Sequence, residues 1–287
     1  MRINQCLSIL LLGGVSLMTL AGQSQQVDIG LLKFSPRVDG DLAEWRSLEP
    51  YTIEIAPAIE DDDRNQTGKI VVKLWAGRSD TEMYVAAQWP DDAADTDFRP
   101  WHWRGNKYRR SKSRDDMFAL RFALSGEFNR SMIADANYMV DVWVWSAGRS
   151  NRIGLASDYR HRISLSMIED APEYETADGN TVYIDRMQDQ GYIGFRTLKP
   201  SSNKTASRLT SIDFGQTASG SVADVVASGR WQAGQWTLEL RRSLDTGRDD
   251  DVRFFAGQEI MGQIAVFNRS GGQHKSVSEP LLFRFLR

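Results

Sequence analysis

Along this chain, short stretches in which apolar and polar residues alternate are separated by glycine, aspartate and proline, the spacing of an all-β protein. Strands are expected over 70–76, 83–89, 117–124, 139–145, 236–242, 260–267 and 281–286, each rich in Val, Ile, Phe or Trp and flanked by turn residues. Over 84–89 and 237–241 the alternation puts one face against a core and the other in water. No long stripe of 3.6-residue period accompanies them. The expected fold is a single all-β domain over 27–287, an antiparallel β-sandwich. Between 173 and 227 the chain turns polar, with Asp178-Gly179-Asn180 and Asp189-Gln190-Gly191, and reads as a long loop insertion across the sandwich.

The run Val38-Asp39-Gly40-Asp41-Leu42-Ala43-Glu44-Trp45 supplies a tight turn at Asp39-Gly40 and two apolar residues, Leu42 and Trp45, to cap one end of the sandwich. It is similar to the opening of DOMON-like domains and carbohydrate-binding modules. It therefore marks the fold, not the ligand.

Residues 1–21 have the pattern of a signal peptide: Arg2, an apolar run over 7–20, then small and polar residues. The run falls short of the about 20 residues a spanning helix needs, so a periplasmic or secreted chain with no membrane span after cleavage is expected. The only cysteine, Cys6, lies in that segment. A mature chain without thiols has no disulfide, thiolate zinc, iron–sulfur cluster or thioether-attached haem. The formal net charge is −3, and loss of Arg2 makes it one unit more negative, which points away from nucleic-acid partners. Gly-x-Ser-x-Gly, Walker and His-Glu-x-x-His motifs are all absent.

Five further pieces occur in a specific order. They are Trp89-Pro90-Asp91 with Pro100-Trp101, the turn Ser113-Arg114-Asp115-Asp116, the strand Val140-Asp141-Val142-Trp143-Val144-Trp145, the run Gly229 to Leu244, and Gly271-Gly272-Gln273-His274-Lys275-Ser276. In this order they resemble the haem-binding gamma subunit of the ethylbenzene dehydrogenase and dimethylsulfide dehydrogenase group. The resemblance implies non-covalent haem b, with iron held by the amine of Lys275 and the thioether of Met132. Met139 and His274 are the alternates. Met132 lies upstream of the tryptophan strand where the family has its methionine, but Ile133 follows it where the family has glycine. Met139 can equally be a core residue that fills a gap.

A lysine must lose its proton before it can donate a lone pair, and moving its pKa from about 10.4 to near 7 costs about 4.6 kcal/mol. Burial beside a cofactor has to supply that. Iron with both axial positions filled implies electron transfer rather than catalysis, so the chain is expected not to be an enzyme. The implied partners are iron–sulfur and molybdopterin subunits, or a cytochrome. Arg149 and Arg152 are candidate propionate partners. His102 and His161 read as surface residues. The alternative function is a secreted carbohydrate-binding module that uses tryptophans as sugar platforms. A hydrolase with paired carboxylates is a third reading. The acidic turns at 60–63 and 249–251 read as solvated charges, with calcium as the rival reading.

Overall fold

Because alternate residues on a strand point to opposite faces, the strands foreseen above need partners on both edges and a core on at least one side. The computed structural model, which describes residues 24–287, supplies both. The signal-peptide segment lies outside the described residues. The strands in chain order are β1 (Gln25–Ile29), β2 (Tyr51–Pro57), β3 (Ile70–Arg78), β4 (Glu82–Pro90), β5 (Trp101–Arg104), β6 (Lys107–Arg110), β7 (Met117–Gly126), β8 (Tyr138–Ser146), β9 (Leu155–Ser164) and β10 (Glu173–Glu175). They continue with β11 (Thr181–Gln188), β12 (Arg196–Thr197), β13 (Arg208–Leu209), β14 (Ile212–Asp213), β15 (Val225–Gln232), β16 (Gln235–Ser243), β17 (Glu259–Phe267), β18 (Ser276–Ser278) and β19 (Leu281–Phe285). All seven expected strands are present. The segment read as a loop insertion contains β10 to β14 and the start of β15, and Val182 and Ile184 of β11 are buried.

The expected two-sheet sandwich is corrected: ten strands close into one barrel. Antiparallel pairing runs β2–β3–β4–β16–β15–β9–β8–β7–β17–β18 and returns from β18 to β2. Two narrow seams make the closure. At one, β15 meets β9 only through Val225 opposite Ala156 and Val226 opposite Leu155. At the other, three-residue β18 bridges β17 and β2. A sandwich and a closed barrel place the same alternating positions inside, so alternation does not reveal whether edge strands pair.

The barrel interior is aromatic. Trp89 stacks on Phe118 and Trp236 and meets Trp145 edge-on, while Phe122, Trp143, Phe254 and Phe283 fill the other end. A side chain at Gly229 would run into the Trp145 ring, which explains a glycine in mid-strand. The opening motif packs outside this core. Buried Glu239 of β16 accepts the Trp45 indole N–H at 2.8 Å and the backbone N–H groups of Asp39 and Gly40 at 3.0 and 2.9 Å. Gly40 has φ +82°, which favours glycine.

Candidate ligand-binding site

A second apolar layer covers part of the barrel's outer wall. On β8, Trp143 and Trp145 point into the interior, so Val140, Val142 and Val144 face outward. Side by side across four strands stand Val277 of β18, Ala265 of β17, Ala119 of β7 and Val144 of β8, each in register with the next. At about 4.8 Å per strand this row of small side chains makes a floor roughly 14 Å wide. The chain between β7 and β8, carrying Met132 and Ile133, and the chain before β18, carrying Lys275, complete the enclosure, a cavity of about 350 Å³.

Beneath the Met132 segment lies Arg121, on the same face of β7 as the floor residue Ala119. Its guanidinium donates to Gln263 Oε1 at 2.8 Å, to the Tyr138 hydroxyl at 3.3 Å, and to the carbonyls of Asn129 and Arg130 at 2.5 and 3.1 Å. Tyr138 in turn donates to the Ser131 carbonyl at 3.2 Å. A charged fork reaching up from the floor thus fixes the backbone that carries Met132.

The cavity collects cations. Arg121, Arg130, Arg186, Lys275 and His161 line it, and among the described residues no aspartate or glutamate does. Arg130 pairs with Glu279 at 2.8 Å, and Arg186 bonds the Tyr174 hydroxyl at 3.1 Å. Burial, followed by the charges of Arg121 and Arg186, pushes the Lys275 amine down from 10.5 to about 7. The same causes, burial first and then Arg186, Arg121 and Lys275, push His161 down to about 3, so its ring is neutral. Both side chains keep some accessible surface because the cavity opens to solvent, yet protein atoms surround their polar ends. Lys275 Nζ donates to the Gly272 carbonyl at 2.9 Å and lies 5.6 Å from the centre of the Phe267 ring. His161 Nδ1 has no hydrogen-bond partner.

Met132 and Lys275 therefore line one cavity, and the two alternates do not. Met139 shares the opposite face of β8 with Asp141 and Trp143. His274 Nδ1 is engaged by Asp62 at 2.8 Å. Arg149 is committed to Asp115 at 3.0 Å, and Arg152 lies over Phe214. Neither arginine lines the cavity, whereas Arg121 and Arg186 do. His102 belongs to β5, in a separate three-stranded sheet with β6 and β13. His161 was missed as a wall residue. Its signal was alternation, since Tyr159, His161 and Ile163 share a face of β9.

Fold and site define an all-β barrel protein with a roofed apolar cavity on its outer wall. The chain belongs to the ethylbenzene dehydrogenase family, whose model matches residues 43–278. No curated protein matches it. Among solved structures, a putative carbohydrate-binding protein from Bacteroides uniformis is similar at 8% identity and TM-score 0.42, over 91% of this chain and 100% of that one. A family 9 carbohydrate-binding module from Caldicellulosiruptor kristjanssonii in complex with glucose is similar at 10% identity and TM-score 0.35, over 91% and 96% of the two chains. The same module in complex with cellotriose has 10% identity and TM-score 0.36, over 92% and 95%. Likeness at these TM-scores carries no argument about the ligand.

The expected function, a periplasmic electron-transfer subunit of cytochrome b type, is corrected. Of the three histidines only His161 reaches the cavity, so no histidine pair brackets a metal there. Among the described residues no helix is long and apolar enough to cross a membrane.

Proposed function

We propose that this chain is a non-catalytic binding module whose cavity takes a flat, largely apolar ligand bearing carboxylates. The observation that carries this reading is the pairing of a floor of small side chains with the basic groups of Arg121, Arg186 and Lys275, while among the described residues no carboxylate lines the cavity. Burying such charges is costly, and an anionic ligand edge offsets the cost. Non-covalent haem b is the cofactor we propose within this class, with Met132 and Lys275 as its contacts. An amine that is half neutral near pH 7 and a thioether both suit that group. Bound there, haem supplies an iron able to accept such donors. The proposal concerns cofactor binding, and export guided by residues 1–21 belongs to it; a role in electron transfer does not.

The test is titration of the purified chain with haemin, followed by absorption. Saturable one-to-one binding is expected, weakened at least about tenfold in Met132→Ala and in Lys275→Ala and unchanged in Met139→Ala and His274→Ala. Absence of saturable binding, or equal affinity in all four variants, overturns it.

A second reading, carbohydrate binding, draws on Trp101 and Trp103, which share one face of β5 and are both half-buried. Retardation of the chain in a polysaccharide gel, abolished by Trp103→Ala, is its expected signature; unretarded migration rejects it.

A further inference from the structure

Between Asp97 and Asp115 the chain carries seven arginines and lysines and no carboxylate, and between Asp189 and Asp213 four more and again none. In a chain of formal net charge −3 this is a marked local excess. The two stretches meet in the small sheet of β13, β5 and β6. Its register sets Arg208 of β13 beside His102 of β5, His102 beside Arg109 of β6, and Arg104 of β5 beside Lys107 of β6. Residues paired in this way share a face, so that face carries only basic residues, and Arg104, Lys107, Arg109 and Arg208 on it are exposed. The other face is packed. Trp101 donates to the Leu198 carbonyl at 3.0 Å, while Tyr108 meets Trp103 edge-on and donates to the Ala206 carbonyl at 2.8 Å.

The rest of the protein leaves these charges without counter-charge. Of the two carboxylates that bound the first stretch, Asp115 is held by Arg149 at 3.0 Å and Asp97 by Arg208 at 2.5 Å. Among the described residues none of the seven cations between them forms an ion pair. Burial, then the like charges of Arg99 and Arg114, pushes the Arg110 guanidinium down from its ordinary value, and burial with Arg99 and Arg149 does the same to Arg114. The sheet also has an open edge. β6 pairs with β5 alone, and the Ser111 N–H donates to the Pro100 carbonyl at 2.8 Å. Main-chain groups on a strand point alternately to its two sides, so those of Tyr108 and Arg110 face away from β5. Such an edge can take a further strand, and the lysine and arginines beside it select against neutral or basic partners. An acidic strand turns that barrier into attraction and supplies the missing counter-charge.

We propose that the edge of β6 and its basic face dock an extended acidic segment of a partner protein, added as a fourth strand with carboxylates at alternate positions against Lys107 and Arg109. Lipid headgroups and acidic polysaccharides offer negative charge but no ladder of peptide N–H and C=O groups, so a polypeptide is the occupant that uses both features. None of these strands lines the apolar cavity, and the inference is independent of what that cavity holds.

The experiment uses the full chain and a short labelled peptide in which glutamate alternates with threonine, followed by fluorescence anisotropy at low salt. Saturable binding is expected, weakened by added salt and at least about tenfold weaker in the double variant Lys107→Glu, Arg109→Glu. Both side chains are exposed, so this variant should melt with the wild type. Lys69→Glu, an exposed change elsewhere, should bind the peptide as the wild type does. A peptide with proline in place of threonine keeps the charge and loses the strand, and should also bind at least about tenfold more weakly. Absence of saturable binding, undiminished affinity in the double variant, or equal affinity for the proline peptide overturns the proposal. So does binding to phosphatidylglycerol vesicles or to polygalacturonate without binding to the peptide.

Discussion

Lys275 Nζ donates to the carbonyl oxygen of Gly272 at 2.9 Å, a bond that a neutral amine keeps with one proton while its lone pair is free. The charged groups around it are Arg121 and Arg186, and His161 is neutral down to about pH 3, so the lysine alone titrates in this cavity near neutrality. Its folded pKa of about 7 lies below the 10.5 of an ordinary lysine. Stability from this group is therefore present above about pH 10.5 and lost as pH falls through about 7. At pH 7.5, limiting acetic anhydride should modify Lys275 ahead of the exposed Lys69, Lys199 and Lys204, as read by peptide mass spectrometry. Equal labelling would show an ordinary ammonium.

Arg121→Met should detach the Met132 segment while preserving the barrel. The substitution removes four hydrogen bonds and strands two carbonyls, a loss of about 2 kcal/mol or more in urea unfolding. Hydrogen exchange should quicken over 128–133 and stay slow in β7 and β8. Uniform acceleration across the barrel would count against this anchoring role.

Strand existence was legible because each of the seven foreseen strands carries its own apolar run. Ring closure was not, since it depends on two pairs at Val225 and Val226 and on three residues at 276–278, too little sequence to carry a pattern. His161 was hidden by its neighbours. Arg160 and Arg162 make the run look like surface, although on a strand they face the other way from His161. Met132 and Lys275 came from motif order, and the structure places both on one cavity; Arg186 lies within the stretch read as a loop, where no alternation had been sought. Buried Arg242 and Asp141 sit in strands whose apolar neighbours are core, and nothing local distinguishes them from wet-face charges.

Glu239 holds the opening motif to the barrel, and its role is testable apart from any ligand. Glu239→Ala leaves the Trp45 indole and the N–H groups of Asp39 and Gly40 without their acceptor. A loss of about 2–4 kcal/mol in urea unfolding is expected, with protease cleavage appearing first near 37–45. An unchanged midpoint would mean that water replaces the carboxylate at no cost.

Asp91 and Asp116 stand together near the Trp236 end of the barrel and give a pH dependence of opposite sign to that of a salt-bridged carboxylate. Burial, with Asp91's charge second, pushes Asp116 up from 3.8 to about 7; burial pushes Asp91 up to about 6, with Asp95 and Asp92 adding to the rise. Asp116 nevertheless accepts the backbone N–H groups of Asp95 and Arg269 and the Trp236 indole, at 2.8, 3.1 and 3.2 Å, so the residue has a structural place whatever its charge. Folded pKa values above the unfolded ones mean that the folded chain holds protons the unfolded chain has released. The contribution to stability is present below about pH 4 and is lost as pH rises through about 6 and 7. Asp91→Asn removes one member of the pair and its repulsion of the other. Unfolding free energies measured from pH 4 to 8 should fall less steeply in this variant than in the wild type, the two curves diverging in favour of Asp91→Asn above about pH 6. Parallel curves would show that the two carboxyls do not interact.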